Sequence, residues 1–450
     1  MQYGWKSIIF IITCCLLTCQ ESAFAQQKDW RKPDGLSSSD QKLVEDNEKR
    51  ISFTNLNSGK TYYQNNKKLK RIYKLERQQE FKKMIEALEE YVSNFGTANF
   101  GRDADLLWLL AQLYENFGKM DDAKRLYSLI LKHANGNTRI VKQYYDNKKR
   151  LKEEHYVPID YYYKLVDYRK RVDTLHPPQG KDQYVGGQVN SPYDDYGPSL
   201  SFTDNKLLYA SKRNRVSTLD GTKMNEDLFW AEKKGEEWGE AKPFQALNSR
   251  YNEGAPCLGR DGETIFFARC DAPDSHGDCD LYKATKQAGG KWGNVTNLGD
   301  VVNSERWDSH PSLSHSGDTL FFASNRDGGF GSNDIYFTHK NGNGQWVPPQ
   351  NLGPTINTKG NDISPFYHPE HDVLYFSSNS HLLNFGNFDI YKAYREDGGW
   401  TEPKNIGPLV NTKGNEHFFT IDSESEKLFY SRSDIQELGK NANLYTFPLP

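Results

Sequence analysis

The sequence lacks the linear motifs of several common enzyme classes. No H-E-x-x-H, G-x-S-x-G or Cys-x-x-Cys pattern occurs in its 450 residues, and these patterns mark zinc proteases, serine hydrolases and dithiol redox proteins. The histidines of the second half lie on separate segments, and nothing in the sequence brings three of them together as metal ligands. We therefore expect no catalytic residues, no cofactor and no metal site, and we expect the protein not to be an enzyme.

Hydrophobic residues are also scarce, at 36% of the chain, whereas aromatic residues reach 13%, with 27 Tyr and 24 Phe. This balance favours many short strands that carry large side chains over a wholly helical protein. A chain of 450 residues is long enough for two or three domains, each with its own core. Composition thus predicts a mixed architecture.

Charge is unevenly placed along the chain. Residues 31–180 carry 29 Lys and Arg against 21 Asp and Glu, whereas residues 181–450 carry 26 against 37. The basic part has no dense basic stripe with interleaved aromatic residues, so we expect no nucleic-acid partner. A solvated face, or docking to an acidic partner or to anionic lipid head groups, accounts better for this charge.

The N-terminal residues have the pattern of an export signal. Their apolar run, residues 8–17, is too short to anchor the chain across a bilayer, and an Ala-Phe-Ala pattern follows it. This combination predicts a cleaved signal peptide over residues 1–25 and a flexible N-terminus over residues 26–40. Cys19 is an alternative lipidation site, although Thr18 is bulkier than the residues usual before a lipidated cysteine. In either case we expect an exported protein.

The next part of the chain, residues 41–175, is predicted to be helical. It has long stretches without Gly or Pro in which apolar residues recur at spacings of three and four. The clearest unit covers residues 104–137, where the small residues Ala111 and Ala123 would allow two antiparallel helices to approach closely. Its spacing resembles a tetratricopeptide (TPR) repeat.

One helix pair cannot bury both of its faces. We therefore expect helices at residues 64–95 and 138–172 to stack on either side of it, as further degenerate repeats. A linker, residues 176–182, contains two consecutive prolines and leads into the last part of the chain, residues 183–450.

The last part contains five copies of one repeat. Four tryptophans recur every 54 residues, and each is followed by an Asn-Leu-Gly-like element and then by Val-Asn or Ile-Asn, or a weaker version of these. Each copy then has a short strand, an aromatic strand and an alternating strand. Four short strands with turns between them suit one blade of a β-propeller, so we expect a five-bladed propeller. The tryptophans are Trp238, Trp292, Trp346 and Trp400.

The fifth copy ends with the chain after only three strands. Upstream of the first copy, residues 183–201 align with residues 351–368, so that Asn190 corresponds to Asn357. We therefore expect residues 183–190 to pair with the last blade and to close the ring, because closure removes an open sheet edge.

An Asp or Asn begins the third strand of every copy. A short acceptor at this position can hold the backbone N–H groups of the preceding turn. Because all five copies share this need, we expect a structural role in the turn rather than catalysis. The five residues are Asp227, Asp280, Asp334, Asp389 and Asn443.

Three cysteines remain after removal of an export signal. Cys270 and Cys279 flank the hairpin loop of the second copy, and in an exported protein we expect them to form a disulfide. Cys257 lies on a first strand, where we expect a small buried residue.

The order of these parts resembles a known family. The resemblance rests on the order of a signal peptide, TPR-like helices, the segment YYYKLVDYRKRVDTLHPP and repeats such as FFASNRDGGFGSNDIYF. In this order the chain resembles the PorE-type envelope proteins, whose WD40-like repeats are also similar to the TolB propeller. The resemblance covers nearly all of the mature chain. It implies the periplasmic side of the outer membrane and an association with the type 9 secretion or gliding machinery. Fuller members continue into an OmpA-like domain that binds peptidoglycan, which this sequence does not include.

We therefore expect a two-domain protein, α followed by all-β, that acts as a non-enzymatic scaffold or adaptor for envelope or outer-membrane proteins. The alternative is a glycan- or peptide-binding propeller that assists outer-membrane uptake, with loop aromatics such as Trp230, Trp307, Phe330 and Phe385 stacking on the ligand. Each of these aromatics is also a candidate for simple blade packing. A hydrolase would need acidic or histidine side chains that converge in the channel.

Overall fold

The computed structural model describes parts of both expected domains. These parts are residues 51–133, 183–201, 203–218, 221–368, 371–382, 384–396, 398–407, 410–433 and 441–448. The expected signal peptide, flexible N-terminus, lipidation site, C-terminal flanking helices and linker lie outside these residues. No helix within these ranges is both long and apolar enough to cross a lipid bilayer.

Short helices precede the propeller, and we call residues 51–133 the helical module. The helices are α1 (Asn66–Arg77), α2 (Phe81–Val92), α3 (Thr97–Arg102), α4 (Ala104–Asn116) and α5 (Met120–His133), preceded by a 3-10 turn (Thr54–Ser58).

Two helical hairpins make up most of this module, α1 with α2 and α4 with α5. The region expected to be helical at residues 64–95 is therefore a hairpin, in which Gln79 takes a left-handed backbone (φ 57°) in the turn after α1. Asn65 caps the N-terminus of α1, because its side-chain oxygen accepts a hydrogen bond from the backbone N–H of Lys68. Gly118 has φ 79° and turns the chain from α4 into α5 at little conformational cost.

The two hairpins share one hydrophobic core. Ala111 of α4 and Ala123 of α5 are completely buried, so these helices approach closely where the sequence has small residues. Leu107 and Leu110 are also completely buried, and burying each leucine stabilises the fold by about 2 kcal/mol. Packing therefore stabilises helices that are too short to be stable alone.

The strands form five antiparallel sheets, which are the blades of the propeller. β1 (Gln183–Tyr184) precedes blade one, which contains β2 (Asp195–Leu200), β3 (Lys206–Thr218), β4 (Gly221–Lys234), β5 (Glu237–Trp238) and β6 (Lys242–Pro243). Blade two contains β7 (Asn252–Leu258), β8 (Thr264–Cys270), β9 (Cys279–Lys286) and β10 (Trp292–Asn297). Blade three contains β11 (Asp308–Leu313), β12 (Thr319–Ser324), β13 (Asp334–His339) and β14 (Gln350–Asn351). Blade four contains β15 (Asp362–His368), β16 (Val373–Ser378), β17 (Asp389–Glu396), β18 (Gly399–Trp400) and β19 (Lys404–Asn405). Blade five contains β20 (Asn415–Ile421), β21 (Lys427–Ser433) and β22 (Asn443–Pro448).

The first strand of each blade lies at the centre of the propeller. β2, β7, β11, β15 and β20 each contact the first strand of the next blade, and β20 contacts β2 in turn. These contacts run around a complete ring of five. The five-bladed architecture expected from the sequence repeat is therefore confirmed.

Two of the regularly spaced tryptophans show how neighbouring blades pack. Trp238 lies edge-on to Phe429 of blade five, with ring centroids 6.2 Å apart, and Trp346 lies edge-on to Phe266 of blade two at 6.1 Å. Edge-to-face pairs at such distances add stability beyond the burial of their area. The tryptophans near the outer strands thus help to seal the boundaries between blades.

β1 supplies the fourth strand of blade five. It pairs antiparallel with β22, with Gln183 opposite Thr446 and Tyr184 opposite Tyr445. The backbone N–H of Val185 also donates to the carbonyl of Leu444. The ladder is shorter than the expected pairing over residues 183–190, because the chain turns away at Gly186, which has φ 109°.

An asparagine from each blade connection clamps a third strand. Its side-chain oxygen accepts the backbone N–H of one residue, and its side-chain nitrogen donates to the carbonyl of the same residue. Asn190 makes this pair of bonds with Leu444, at 3.0 and 2.7 Å, and so joins the start of the propeller to its last strand. The other clamps are Asn248 on Leu228, Asn303 on Leu281, Asn357 on Ile335 and Asn411 on Ile390.

Candidate functional site

A channel runs between the five first strands. At the same position each of these strands has a bulge, where one residue takes a left-handed backbone with φ between 46° and 67°. The five residues are Gly197, Ala255, His310, Ser364 and Phe418. Such a backbone costs a non-glycine residue on the order of 1 kcal/mol. The bulges therefore hold four side chains in fixed places on the channel wall.

His310 and Phe418 are the two large residues at these bulge positions. Their ring centroids are 4.4 Å apart, and both residues line a cavity on either side of them. One cavity, of about 130 Å³, lies among the connections between first and second strands and includes Ser199, Cys257 and Ser312 in its lining. The ring pair therefore narrows the channel between this inner cavity and the second one.

The second cavity, of about 400 Å³, opens at the other end of the channel, and we call it the channel mouth. Its walls come from residues at the beginning of first strands and at the end of second strands. The residues that carry its chemistry are Asp194, Tyr196, Lys212, Glu226, Trp307, His310, His417 and Phe418.

Charged side chains of blade one form one wall of the channel mouth. The Nζ of Lys212 lies 3.1 Å from Asp194 and 3.2 Å from Glu226. Burial acts to lower the pKa of Lys212, but the two carboxylates outweigh it and raise the pKa, so the amine stays charged. The hydroxyl of Tyr196 donates to Glu226, and burial together with this carboxylate raises the tyrosine pKa. The wall thus offers one cation and two carboxylates.

Two histidines, from blades three and five, also line the channel mouth and are neutral at pH 7. Burial lowers the pKa of His310 to about 3 and that of His417 to about 4. The backbone N–H of Ser364 donates to Nδ1 of His310 at 3.2 Å, so the proton of this imidazole is on Nε2. The Nδ1 of His417 is enclosed and has no hydrogen-bond partner among the residues that the structure describes.

Each first strand also has a completely buried carboxylate at its first or second position. In four blades it forms an ion pair with an arginine of the second strand or of the loop after it, at 2.6 to 3.2 Å. These pairs are Asp195–Arg213, Glu253–Arg269, Asp308–Arg326 and Glu416–Arg432. The same carboxylates accept hydrogen bonds from the turns before their strands, for example from the backbone N–H and hydroxyl of Ser304. They are therefore engaged within their own blades.

Blade four departs from this pattern. Its carboxylate, Asp362, lies 3.8 Å from Nε2 of His381 instead of an arginine, and burial raises the pKa of Asp362 to about 7. His381 donates to the carbonyl of Ile356, much as the arginines of other blades bond to the corresponding carbonyl. Blade four is also one of the blades that the helical module contacts.

The helical module is attached to the propeller through the C-terminal end of α5. Lys132 is completely buried and donates to the carbonyl of Thr355 at 2.8 Å and to Glu402 at 3.0 Å. Ser128 donates to the same carboxylate at 2.6 Å. His133 bonds through Nε2 to the carbonyl of Pro354 at 2.8 Å. We call these four side-chain contacts the interdomain lock.

Aromatic packing surrounds the interdomain lock. Phe330, from the loop between β12 and β13, lies 4.9 Å from His133 and 5.4 Å from Phe100 between ring centroids. Leu382 of blade four packs on the same helical core. Burial lowers the pKa of His133 to about 3, so this imidazole is neutral. The module therefore contacts blades three and four, at the end of the propeller where the channel mouth opens.

The residues expected to hold the blade turns are placed as follows. Asp280, Asp334 and Asp389 each accept two backbone N–H groups of the preceding loop and one side-chain amide. Asp227 instead accepts the side-chain amides of two asparagines on a longer hairpin. Asn443 donates to the carbonyl of Asn441. The structure does not bring these five residues together in one site.

The loop between β12 and β13 also has a packing role. A Cβ atom on Gly331 would lie 2.2 Å from the carbonyl oxygen of Gly360, which belongs to the connection into blade four. The backbone N–H of Ser332 donates to that same carbonyl at 2.8 Å. Gly331 is thus required where two blades meet.

The structure pairs Cys270 with Cys279 in a disulfide across β8 and β9, where the two residues are direct partners. Cys257 has a free thiol and lines the inner cavity, and burial raises its pKa to about 12. Of the four aromatics considered for ligand stacking, only Trp307 lies in the channel mouth. Phe330 packs on the helical module and Phe385 is buried.

Sequence reasoning did not find the channel mouth or the interdomain lock. A signal for the mouth was available, because His310 and Phe418 occupy a repeat position where the other blades have Gly, Ala or Ser. The lock had no such signal, because its partners lie more than 200 residues apart in the chain.

No protein-family model matches the chain, and no curated protein matches it. Among solved structures, it is similar to a putative TolB from Agrobacterium tumefaciens, with 13% identity, a TM-score of 0.37, and coverage of 60% of this chain and 97% of that one. It is similar to TolB from Acinetobacter baumannii with 15% identity and a TM-score of 0.33, covering 54% of this chain and 53% of that one. It is also similar to an arabinanase from Bacillus subtilis, with 13% identity, a TM-score of 0.38, and coverage of 60% and 97%. At these identities, the similarity concerns the fold and says nothing about activity.

Proposed function

We propose that the protein is a non-enzymatic adaptor of the cell envelope, which binds other proteins through its helical module and its propeller. The observation that carries this proposal is the interdomain lock, which joins α5 to blades three and four and so favours one relative orientation of the two modules. A lysine without any exposed surface is costly unless its charge is paired and hydrogen-bonded. Lys132 satisfies this condition only when α5 lies against the propeller.

A fixed orientation suits an adaptor. Binding costs less conformational entropy when two surfaces are already held in place before the partners arrive. The lock lies on blades three and four, whereas the charged wall of the channel mouth comes from blade one and the connection before it. One partner can therefore contact the helical module while another contacts the propeller.

Exposed tyrosines mark part of the surface that we assign to the first partner. Tyr73 on α1 and Tyr62 just before it are 42% and 38% exposed. Large exposed aromatic side chains are enriched at protein interfaces. The two helical hairpins within residues 51–133 support the part of the TPR-like assignment that they cover, and stacked hairpins of this kind present one face for binding.

The cellular place in this proposal is the periplasmic side of the outer membrane, beside the type 9 secretion or gliding machinery. The predicted signal peptide at residues 1–25 and the order of helices and repeats support it. A lipid on Cys19 would attach the chain to the membrane directly.

Affinity purification from detergent-solubilised envelopes, followed by mass spectrometry, tests this proposal. We expect the native chain to recover outer-membrane or secretion components. The variant Lys132→Met breaks the lock and should lose the partners that contact both modules. Lys124→Met is the matched control, because Lys124 is an exposed lysine on the same helix and forms an ion pair with the exposed Asp121. Recovery of no envelope component by the native chain would refute the adaptor function.

A further inference from the structure

The channel mouth is the cavity whose residues the adaptor function leaves unused. We propose that it binds a neutral saccharide of one or two rings, through Trp307 and the charged wall of blade one. This binding goes beyond the adaptor function and does not depend on it.

The size and walls of the cavity fit such a ligand. Its volume of about 400 Å³ lies within the range of small-molecule sites. Trp307 is partly exposed at the rim and is held edge-on to His310, with ring centroids 4.9 Å apart. An aromatic ring fixed at the edge of a cavity offers a face for the C–H side of a sugar ring.

The channel mouth offers both hydrogen-bond donors and hydrogen-bond acceptors, which hydroxyl groups need. Lys212 is a donor whose side chain keeps 38% of its surface exposed, and Glu226 is an acceptor with 26% exposed. A sugar hydroxyl can pair with either group, since it both donates and accepts.

Charge and polarity argue against other classes of ligand. An anion such as a phosphate would find only one cation, and two carboxylates already neutralise it. Both carboxylates are already paired with Lys212, so a cation would have to compete with this amine for them. A purely apolar ligand would cover these polar groups without replacing their hydrogen bonds. A neutral ligand rich in hydroxyl groups avoids all three costs.

Two ring contacts of Phe418, with His310 and with Tyr196, form the floor of the channel mouth. His310 and Phe418 narrow the channel below the mouth, with Phe418 also 5.0 Å from Tyr196 between ring centroids. The ligand would therefore rest on this aromatic floor, which prevents it from passing through the channel. A short saccharide or the end of a longer glycan fits, whereas a threaded polymer does not.

Isothermal titration calorimetry of the full chain with maltose, cellobiose and N,N′-diacetylchitobiose tests the proposal, extended by a neutral-glycan array. We expect at least one of these neutral saccharides to bind with a Kd on the order of 0.1–1 mM. Trp307→Ala should weaken that binding at least tenfold. Glu226→Gln, which keeps the size of the side chain, should weaken it about fivefold. The matched control is Trp230→Ala, because Trp230 lies outside the mouth beneath two lysines.

Two results would overturn the saccharide site. One is that no neutral saccharide binds below about 10 mM. The other is that binding persists unchanged in both Trp307→Ala and Glu226→Gln. Circular dichroism establishes that each variant is folded, and the Glu226 variant keeps the test valid if the tryptophan variant does not fold. Loss of saccharide binding together with intact recovery of envelope partners separates this site from the adaptor function.

Discussion

Replacing Asn190 with alanine removes the side-chain clamp that joins the two ends of the propeller. In the native protein the side chain of Asn190 is 4% exposed and makes two hydrogen bonds to the backbone of Leu444, which is completely buried. Losing the bond to the carbonyl costs about 1 kcal/mol net, because this carbonyl still accepts the backbone N–H of Val185, and leaving the buried N–H of Leu444 without a partner adds about 1–3 kcal/mol. We therefore expect the free energy of unfolding to fall by about 2–4 kcal/mol.

Urea denaturation monitored by tryptophan fluorescence measures this change. Asn357→Ala is the matched variant, because Asn357 makes the same two bonds to Ile335 within the continuous chain. We expect both variants to lose similar stability, whereas Asn343→Ala, at an exposed turn, should change it by less than about 0.5 kcal/mol. If Asn190→Ala is as stable as the native protein while Asn357→Ala is destabilised, this account of ring closure is wrong.

Three further predictions concern the lock, its pH dependence and the disulfide. Lys132→Met should raise the rate of amide hydrogen exchange in α5 and in the turn at Thr355, because it leaves Glu402 and the carbonyl of Thr355 without their cation. An unchanged exchange rate would contradict the lock. His133 is buried as the neutral form with its pKa lowered to about 3, so its contribution to stability is present above pH 6.5 and is lost as the pH falls towards 3. The native protein should therefore lose about 1–2 kcal/mol relative to His133→Gln between pH 6.5 and 5, and parallel stability curves for the two proteins would refute this. Cys270→Ser should lower the free energy of unfolding by about 2–3 kcal/mol through loss of the bond to Cys279, and non-reducing peptide mapping of the native chain should find that bond.

The sequence repeat was enough to predict the number of blades. Each blade is built from local strand and turn patterns, and the regular spacing of the tryptophans reports five copies directly. The Val-Asn and Ile-Asn pairs were visible as a repeated feature, but their role as clamps was not. An asparagine such as Asn357 reaches a residue 22 positions earlier, and only the folded blade brings them together.

The turn residues show where a repeat pattern stops being informative. Asp334 and Asp389 have the same backbone partners because their loops have the same length and shape. Asp227 follows a longer hairpin, so side-chain amides replace the backbone groups. The side-chain amide of Asn443 donates a hydrogen bond to the carbonyl of Asn441, which a carboxylate could not do. The chemistry at an equivalent position therefore depends on the loop that surrounds it.

The helical module and the propeller are joined by residues that lie far apart in the sequence. Lys132 looked like an ordinary charge at the end of an amphipathic helix, since nothing nearby in the sequence identifies Thr355 or Glu402 as its partners. The channel mouth is similar, because Lys212 and Trp307 come from different blades. Local pattern predicts the elements, whereas such sites arise from packing between elements.

The central claim is that the helical module and the propeller form one rigid unit. Double electron–electron resonance between spin labels at Lys70→Cys on α1 and Lys286→Cys on β9, both exposed positions, measures it directly in a Cys257→Ser background. We expect one narrow distance distribution, which should broaden when Lys132→Met is added. A broad distribution in the protein with an intact lock would contradict the account.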